Sequence, residues 1–82
     1  MSKIVWRQDS VAGVPLKRFV GYVGEIEVGN VSYDGGNRFW VWASPLQDDA
    51  WGYGPSDDAA KTALEYWLAQ WLENFRPFFE SR

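Results

Sequence analysis

Along residues 17–28 of the chain, Val20, Tyr22, Gly24, Ile26 and Val28 alternate with Phe19, Gly21, Val23, Glu25 and Glu27. A period of two sends successive side chains to opposite faces of a strand, so one strand is predicted here with the first set facing the core. Gly21 and Gly24 inside the run point to a bulge or to the close approach of another backbone or ring. Residues 3–8 predict a short first strand, and residues 9–15, with Gly13 and Pro15, a turn or loop. Asp34-Gly35-Gly36-Asn37 is the best turn signal, because Gly and Asn tolerate the positive φ of tight hairpins. It joins strands predicted at 30–34 and 38–44. In the second of these Phe39, Val41 and Ala43 share one face and Trp40 and Trp42 the other, so both faces are apolar. Trp51-Gly52-Tyr53 adds a candidate edge strand.

The period then changes to that of a helix, predicted over residues 57–75. Pro55-Ser56-Asp57-Asp58 marks its start: Ser56 can cap the first turn, and the two carboxylates sit where the helix dipole favours negative charge. Ala60, Leu64, Trp67, Leu68, Trp71, Leu72 and Phe75 recur at three- and four-residue spacing as one buried stripe. Thr62, Glu65, Tyr66, Ala69, Gln70 and Glu73 take the opposite side. Pro77 is expected to stop the helix shortly after Phe75 and to leave Phe78-Phe79 as an apolar tail. The fold class is therefore α+β: an antiparallel three- to four-stranded β-meander packed against one C-terminal amphipathic helix, in a single domain spanning residues 1–82. One helix covers one face of such a sheet, so some rings on the second face should meet solvent or a partner.

Composition shows how so short a chain reaches stability. Six Trp, four Tyr and five Phe among 82 residues supply the apolar area, at about 150–250 Å² for each ring buried. Cysteine is absent, which removes disulfides and thiolate metal sites and fits a reducing compartment. The N-terminal run Met1 to Arg7 is too short and polar for a signal peptide, and no apolar stretch is long enough to span a membrane, so a cytoplasmic location is expected, in the host cell if the gene belongs to a phage. Asn30-Val31-Ser32 matches a glycosylation acceptor but reads as strand and turn in that setting.

The same composition narrows the chemistry. Without histidine or cysteine the chain lacks Ser-His-Asp and Cys-His nucleophilic systems, most zinc sites and the usual general base near neutral pH. Glu25 and Glu27 lie two apart on the predicted strand, a spacing compatible with acid/base work on a sugar, yet nothing sets them in a deep pocket. Asp48, Asp49, Asp57 and Asp58 lack the regular spacing of a calcium loop and are accounted for by turns and helix capping. No catalytic residue, cofactor or metal is expected.

Charge points elsewhere. Residues 44–73 hold one basic and six acidic residues, whereas residues 1–43 hold five basic and four acidic. Asp48, Asp49, Asp57, Asp58, Glu65 and Glu73 are thus candidates for a negative surface that steers a basic partner, with Tyr66, Trp40, Trp42 and Trp51 as candidate anchors. The expected partner is a protein with a basic nucleic-acid-binding surface; a homodimer is also compatible. Direct nucleic-acid binding would draw on Lys17, Arg18 and Arg38 beside Phe19 and Phe39, but the acidic excess runs against it.

The run from Arg38-Phe39-Trp40-Val41-Trp42 through Trp51-Gly52-Tyr53-Gly54-Pro55-Ser56-Asp57-Asp58-Ala59-Ala60 to Trp67-Leu68 resembles the strand, Gly-rich edge and helix of HicB-type antitoxin N-terminal domains, over about half the chain. That resemblance implies a module that neutralises a small toxin. In character the chain is also similar to phage-encoded inhibitors of bacterial defence, including anti-CRISPR proteins: small, acidic and without catalytic groups. This second likeness implies a non-enzymatic inhibitor of a host nucleoprotein or defence complex.

Overall fold

The computed structural model describes residues 3–80. Five strands form one antiparallel sheet in sequence order: β1 (Val5–Val11), β2 (Val14–Val23), β3 (Ile26–Asp34), β4 (Phe39–Ala43) and β5 (Trp51–Gly54). Helix α1 (Asp57–Leu72) follows, then a 3-10 turn (Glu73–Phe75) and a short helix α2 (Arg76–Glu80). The α+β class holds, with five strands in place of three to four.

The fifth strand is β5, the candidate edge strand at Trp51-Gly52-Tyr53, and the predicted strands 17–28 and 30–34 are redivided at residues 24–25 into β2 and β3. Gly24, with φ of +60°, and Glu25 form a two-residue turn between β2 and β3, and a positive φ at the first central position is what such a hairpin demands. Glu25 therefore sits in a turn, and the expected pairing of Glu25 and Glu27 on one strand face does not occur. The predicted loop at 9–15 also shrinks to Ala12-Gly13, with φ of 51° and 80°. Alanine hid this hairpin, since an L-residue rarely takes the left-handed conformation.

Cross-strand register then assigns the faces. Trp6 pairs with Gly21 and Gly21 with Gly29; Gln8 pairs with Phe19, Phe19 with Val31, Val31 with Trp42 and Trp42 with Gly52. Directly opposed residues share a face, and this is the face α1 covers. Val20 and Tyr22 consequently lie on the other side, reversing the expected orientation of that strand, although Val20 is buried there as expected of a core residue. A bulge between Gly21 and Tyr22 shifts the register and returns Val28 to the covered side. The alternation alone could not show this, because both sets are apolar.

Helix and sheet meet through a few close contacts. Ala60, Leu64 and Leu68 are buried along α1, and Val28 and Val31 lie beneath them. A Cβ at Gly29 would collide with both Leu64 methyls and lie 2.9 Å from the Ala43 carbonyl oxygen, so glycine there sets how closely the helix seats. Trp67 and Trp71 are half-buried, whereas Leu72 and Phe75, expected in the buried stripe, are exposed because α1 has run past the sheet. Ser56 caps α1 as expected, accepting a hydrogen bond from the Ala59 amide at 3.1 Å. Pro77 does not stop the helical path; it falls in the first turn of α2, where a missing N–H costs nothing.

The β3–β4 turn is organised by Asp34. Its carboxylate accepts from Asn37 Nδ2 at 2.9 Å, the Gly36 amide at 3.1 Å and the Asn37 amide at 3.3 Å. The positive φ falls on Arg38 (61°), not on Gly35, Gly36 or Asn37, which delays β4 to Phe39. Hydrogen bonding from the Asn37 side chain, helped by the two amides, holds the Asp34 carboxyl below its ordinary range. A carboxyl depressed in the folded state contributes stability above its unfolded pKa and loses it as pH falls through the folded one. The stability difference between wild type and Asp34→Ala should thus shrink on acidification below the usual carboxylate range. A difference constant from pH 7 to pH 2 would show that the charge plays no part.

Candidate protein-binding face

The side of the sheet that α1 leaves open carries Phe39, Val41 and Ala43 from β4 and Trp51 and Tyr53 from β5, since Val41 pairs with Tyr53 and Ala43 with Trp51. Phe39 and Tyr53 lie 4.3 Å apart between ring centroids, and Trp51 meets Tyr53 edge-on at 5.4 Å. Trp51 and Tyr53 remain 54% and 57% exposed. The two rings belong to an edge strand, so no further strand crowds them, and Gly52 and Gly54 between them keep the covered side of β5 flat. On that covered side a Cβ at Gly52 would come within 2.6 Å of Trp42 Nε1.

Acidic groups stand at both ends of this aromatic cluster. Asp48 and Asp49 are exposed in the loop that leads directly into Trp51, and the loop is fixed by Ser44, whose buried hydroxyl donates to the Val28 carbonyl at 2.7 Å and accepts from the Leu46 amide at 3.2 Å. At the opposite end Asp34 is paired directly across from Phe39, and Asp57 and Asp58 open α1 just beyond β5. A surface of this form offers flat apolar area between two negative margins. It suits a partner that presents apolar and cationic side chains together.

The expected site residues divide accordingly. Trp51 lies on the open face, and Asp48 and Asp49 are exposed in the loop that enters β5 beside it. Trp40 and Trp42 do not lie on that face: both point to the covered side, where Trp40 packs 5.4 Å from Tyr33 and Trp42 lies 6.2 Å from Trp67. Tyr66 is exposed on the outer side of α1, and Glu65 beside it borders a groove between α1 and the β1–β2 side. Glu73 is tied to Arg76 by two hydrogen bonds of 2.9 and 2.7 Å, and that guanidinium holds its carboxyl below the ordinary range. Asp57 faces Lys61 at 3.9 Å. The expected acidic side of the helix is thus partly neutralised within the chain, whereas Asp48, Asp49, Asp58 and Glu65 enter no ion pair among the described residues. Phe39 and Tyr53 complete the cluster and escaped the sequence reading. Their alternation with Trp40 and with Gly52 was visible, but it did not say which face lay open.

The cations are mostly engaged. Lys61 lies 3.8 Å from the Phe19 ring centroid and 5.7 Å from that of Trp6, pinning α1 to the first hairpin. Lys17 sits over Tyr33 at 4.7 Å, and Arg18 is bridged to Asp9. Lys17 and Arg18 alternate along β2 and Arg38 lies in the far turn, so the three do not make one basic surface. Among the described residues no cluster of carboxylates is arranged to hold a metal, and no helix is long and apolar enough to cross a membrane. Compared with known protein families, curated proteins and solved structures, the chain matches none of them.

Proposed function

We propose that this chain is a non-catalytic inhibitor, of the kind phages and mobile elements encode, that docks through its open sheet face onto the basic nucleic-acid-binding surface of a host nucleoprotein or defence protein. The observation that carries this reading is the cluster of exposed Trp51 and Tyr53 with half-buried Phe39, set between Asp48-Asp49 at one end and Asp34, Asp57 and Asp58 at the other. Aromatic rings anchor an interface after encounter, and flanking carboxylates accelerate approach to a cationic surface while mimicking the charge of the phosphates they displace.

The test begins with the immobilised chain and a nuclease-treated bacterial lysate. A retained protein should bind DNA or RNA by itself and lose that binding when the chain is added. With that protein in hand, Asp48→Lys combined with Asp49→Lys should slow association about tenfold or more at low salt and flatten its salt dependence. A retained protein that keeps its nucleic acid in the presence of saturating chain rules out inhibition, and an association rate unmoved by the double reversal rules out steering by this loop.

A further inference from the structure

A second apolar surface lies away from the open face, where the helical segment outruns the sheet. Leu68, Leu72, Phe75 and Phe79 are spaced four, three and four residues apart, the alternation of a helix–helix seam. Leu68 is buried at 6% exposed, whereas Leu72, Phe75 and Phe79 are 49%, 40% and 64% exposed. The seam begins in the core and ends in solvent. α1 packs on β3, β4 and β5, while α2 packs chiefly on the 3-10 turn before it. Beside Leu72 the seam borders a groove of two adjoining hollows that share Val23, Leu68 and Leu72: an apolar one of about 210 Å³ that reaches Ile26, and one of about 510 Å³ with Lys3 and Glu65 at its margin.

We propose that this seam and groove form a two-fold symmetric interface with a second copy of the chain, the distal helix of each copy lying in the groove of the other. The chemistry of the segment selects an apolar partner. Arg76 bonds Glu73 and reaches Glu80 at 3.6 Å, so the one cation of residues 73–80 is engaged by carboxylates of the same segment and none is left over for an acidic partner. This differs from the open face, where acids flank the rings.

The area also matches. Phe75, Phe78 and Phe79 leave roughly 250–420 Å² exposed at about 150–250 Å² per ring. Leu72, Val23 and Ile26 raise this to on the order of 400–550 Å² per chain, near the upper end of what monomers display. A symmetric pairing uses the same patch twice. It would bury roughly 800–1,100 Å² of apolar surface, and with apolar atoms making up about 60–65% of such contacts the whole interface reaches roughly 1,300–1,800 Å², the size of a stable association.

Sedimentation equilibrium of the full chain at about 1–100 μM tests this. The wild type should sediment at twice its 9.4 kDa, with Leu72→Glu plus Phe79→Glu weakening association on the order of 100-fold. Ile26→Glu, on the opposite lip of the groove and in a different element, should do the same, so a folding defect in the helix variant leaves the test intact. Tyr53→Ala on the open face should leave the dimer unchanged. A wild type that stays monomeric at about 100 μM overturns the proposal, and a monomer that pellets with phosphatidylcholine vesicles overturns it in favour of a lipid surface. A dimer dispersed by Tyr53→Ala but not by the groove variants assigns self-association to the sheet instead and equally overturns it.

Discussion

Leu64→Ala should lower the stability of this protein by about 2–5 kcal/mol, a large share of what a domain of this size possesses. Leu64 and Val31 are the largest side chains with no exposed surface, so truncation opens a cavity that neighbours cannot readily fill. The thermal midpoint should fall by roughly 10–30 °C. Gly29→Ala should also destabilise, by about 1–3 kcal/mol, because its new methyl would occupy the space of the Leu64 methyls. The two effects should not add. Once Leu64 is alanine, the methyl at position 29 enters the vacated volume and is opposed mainly by the Ala43 carbonyl oxygen 2.9 Å away. The double variant should therefore be more stable than the sum of the single costs, with a coupling of about 0.5–3 kcal/mol in a urea-unfolding cycle. Strict additivity would mean that the helix does not rest on the sheet at this point.

This contact also explains what the sequence could and could not reveal. Helix α1 was legible because its signals are local: the Ser56 cap, the acidic first turn and the Ala60–Leu64–Leu68 spacing all belong to one element. The β4 alternation was legible for the same reason. Orientation of β2 was not, because Val20 and Tyr22 compete with Phe19 and Gly21 for the core on nearly equal hydrophobic terms, and the choice is made by distant partners. Gly21 and Gly29 lie opposite each other beneath the helix side, so the covered face of the middle strands is partly marked by missing side chains where hydrophobic ones are usually sought. The C-terminal end misled for a different reason. Apolar spacing continues through Leu72 and Phe75 at full strength, although the sheet that would bury them has already ended.

The candidate site was legible to the same partial degree. Local sequence joined Asp48 and Asp49 to Trp51, and the structure keeps them together. The expected grouping of Glu65, Glu73 and Tyr66 with the tryptophans required knowledge of tertiary placement, and these residues instead border the groove and distal helix. As a result, the chain presents two apolar surfaces of unlike character. One is flanked by carboxylates on the open sheet, and the other runs along a helical segment whose one cation is paired with its own carboxylates. Their separation would let the chain self-associate while its open face engages a different protein.

Trp42→Ala and Trp51→Ala should behave in opposite ways. Trp42 lies across Gly52 with its indole against the site a Cβ would occupy, and it meets Trp67 at 6.2 Å, which continues to Trp71 at 5.8 Å and Phe75 at 4.9 Å. Its removal takes away the covered end of an aromatic row and should cost about 3 kcal/mol of stability or more. Trp51 meets Tyr53 edge-on and is about half exposed, so its removal should cost clearly less stability than that of Trp42, on the order of 1 kcal/mol. Binding should reverse the order. If Trp51 anchors the partner, its loss should cost about 2 kcal/mol of affinity, appearing as a dissociation rate roughly 30-fold faster with little change in association. Trp42→Ala, measured well below its own melting temperature, should leave that rate within about threefold, since it reaches the partner only through the sheet. Dissociation accelerated by Trp42→Ala but untouched by Trp51→Ala and Tyr53→Ala would move the interface to the helix side and end the case for the open sheet face.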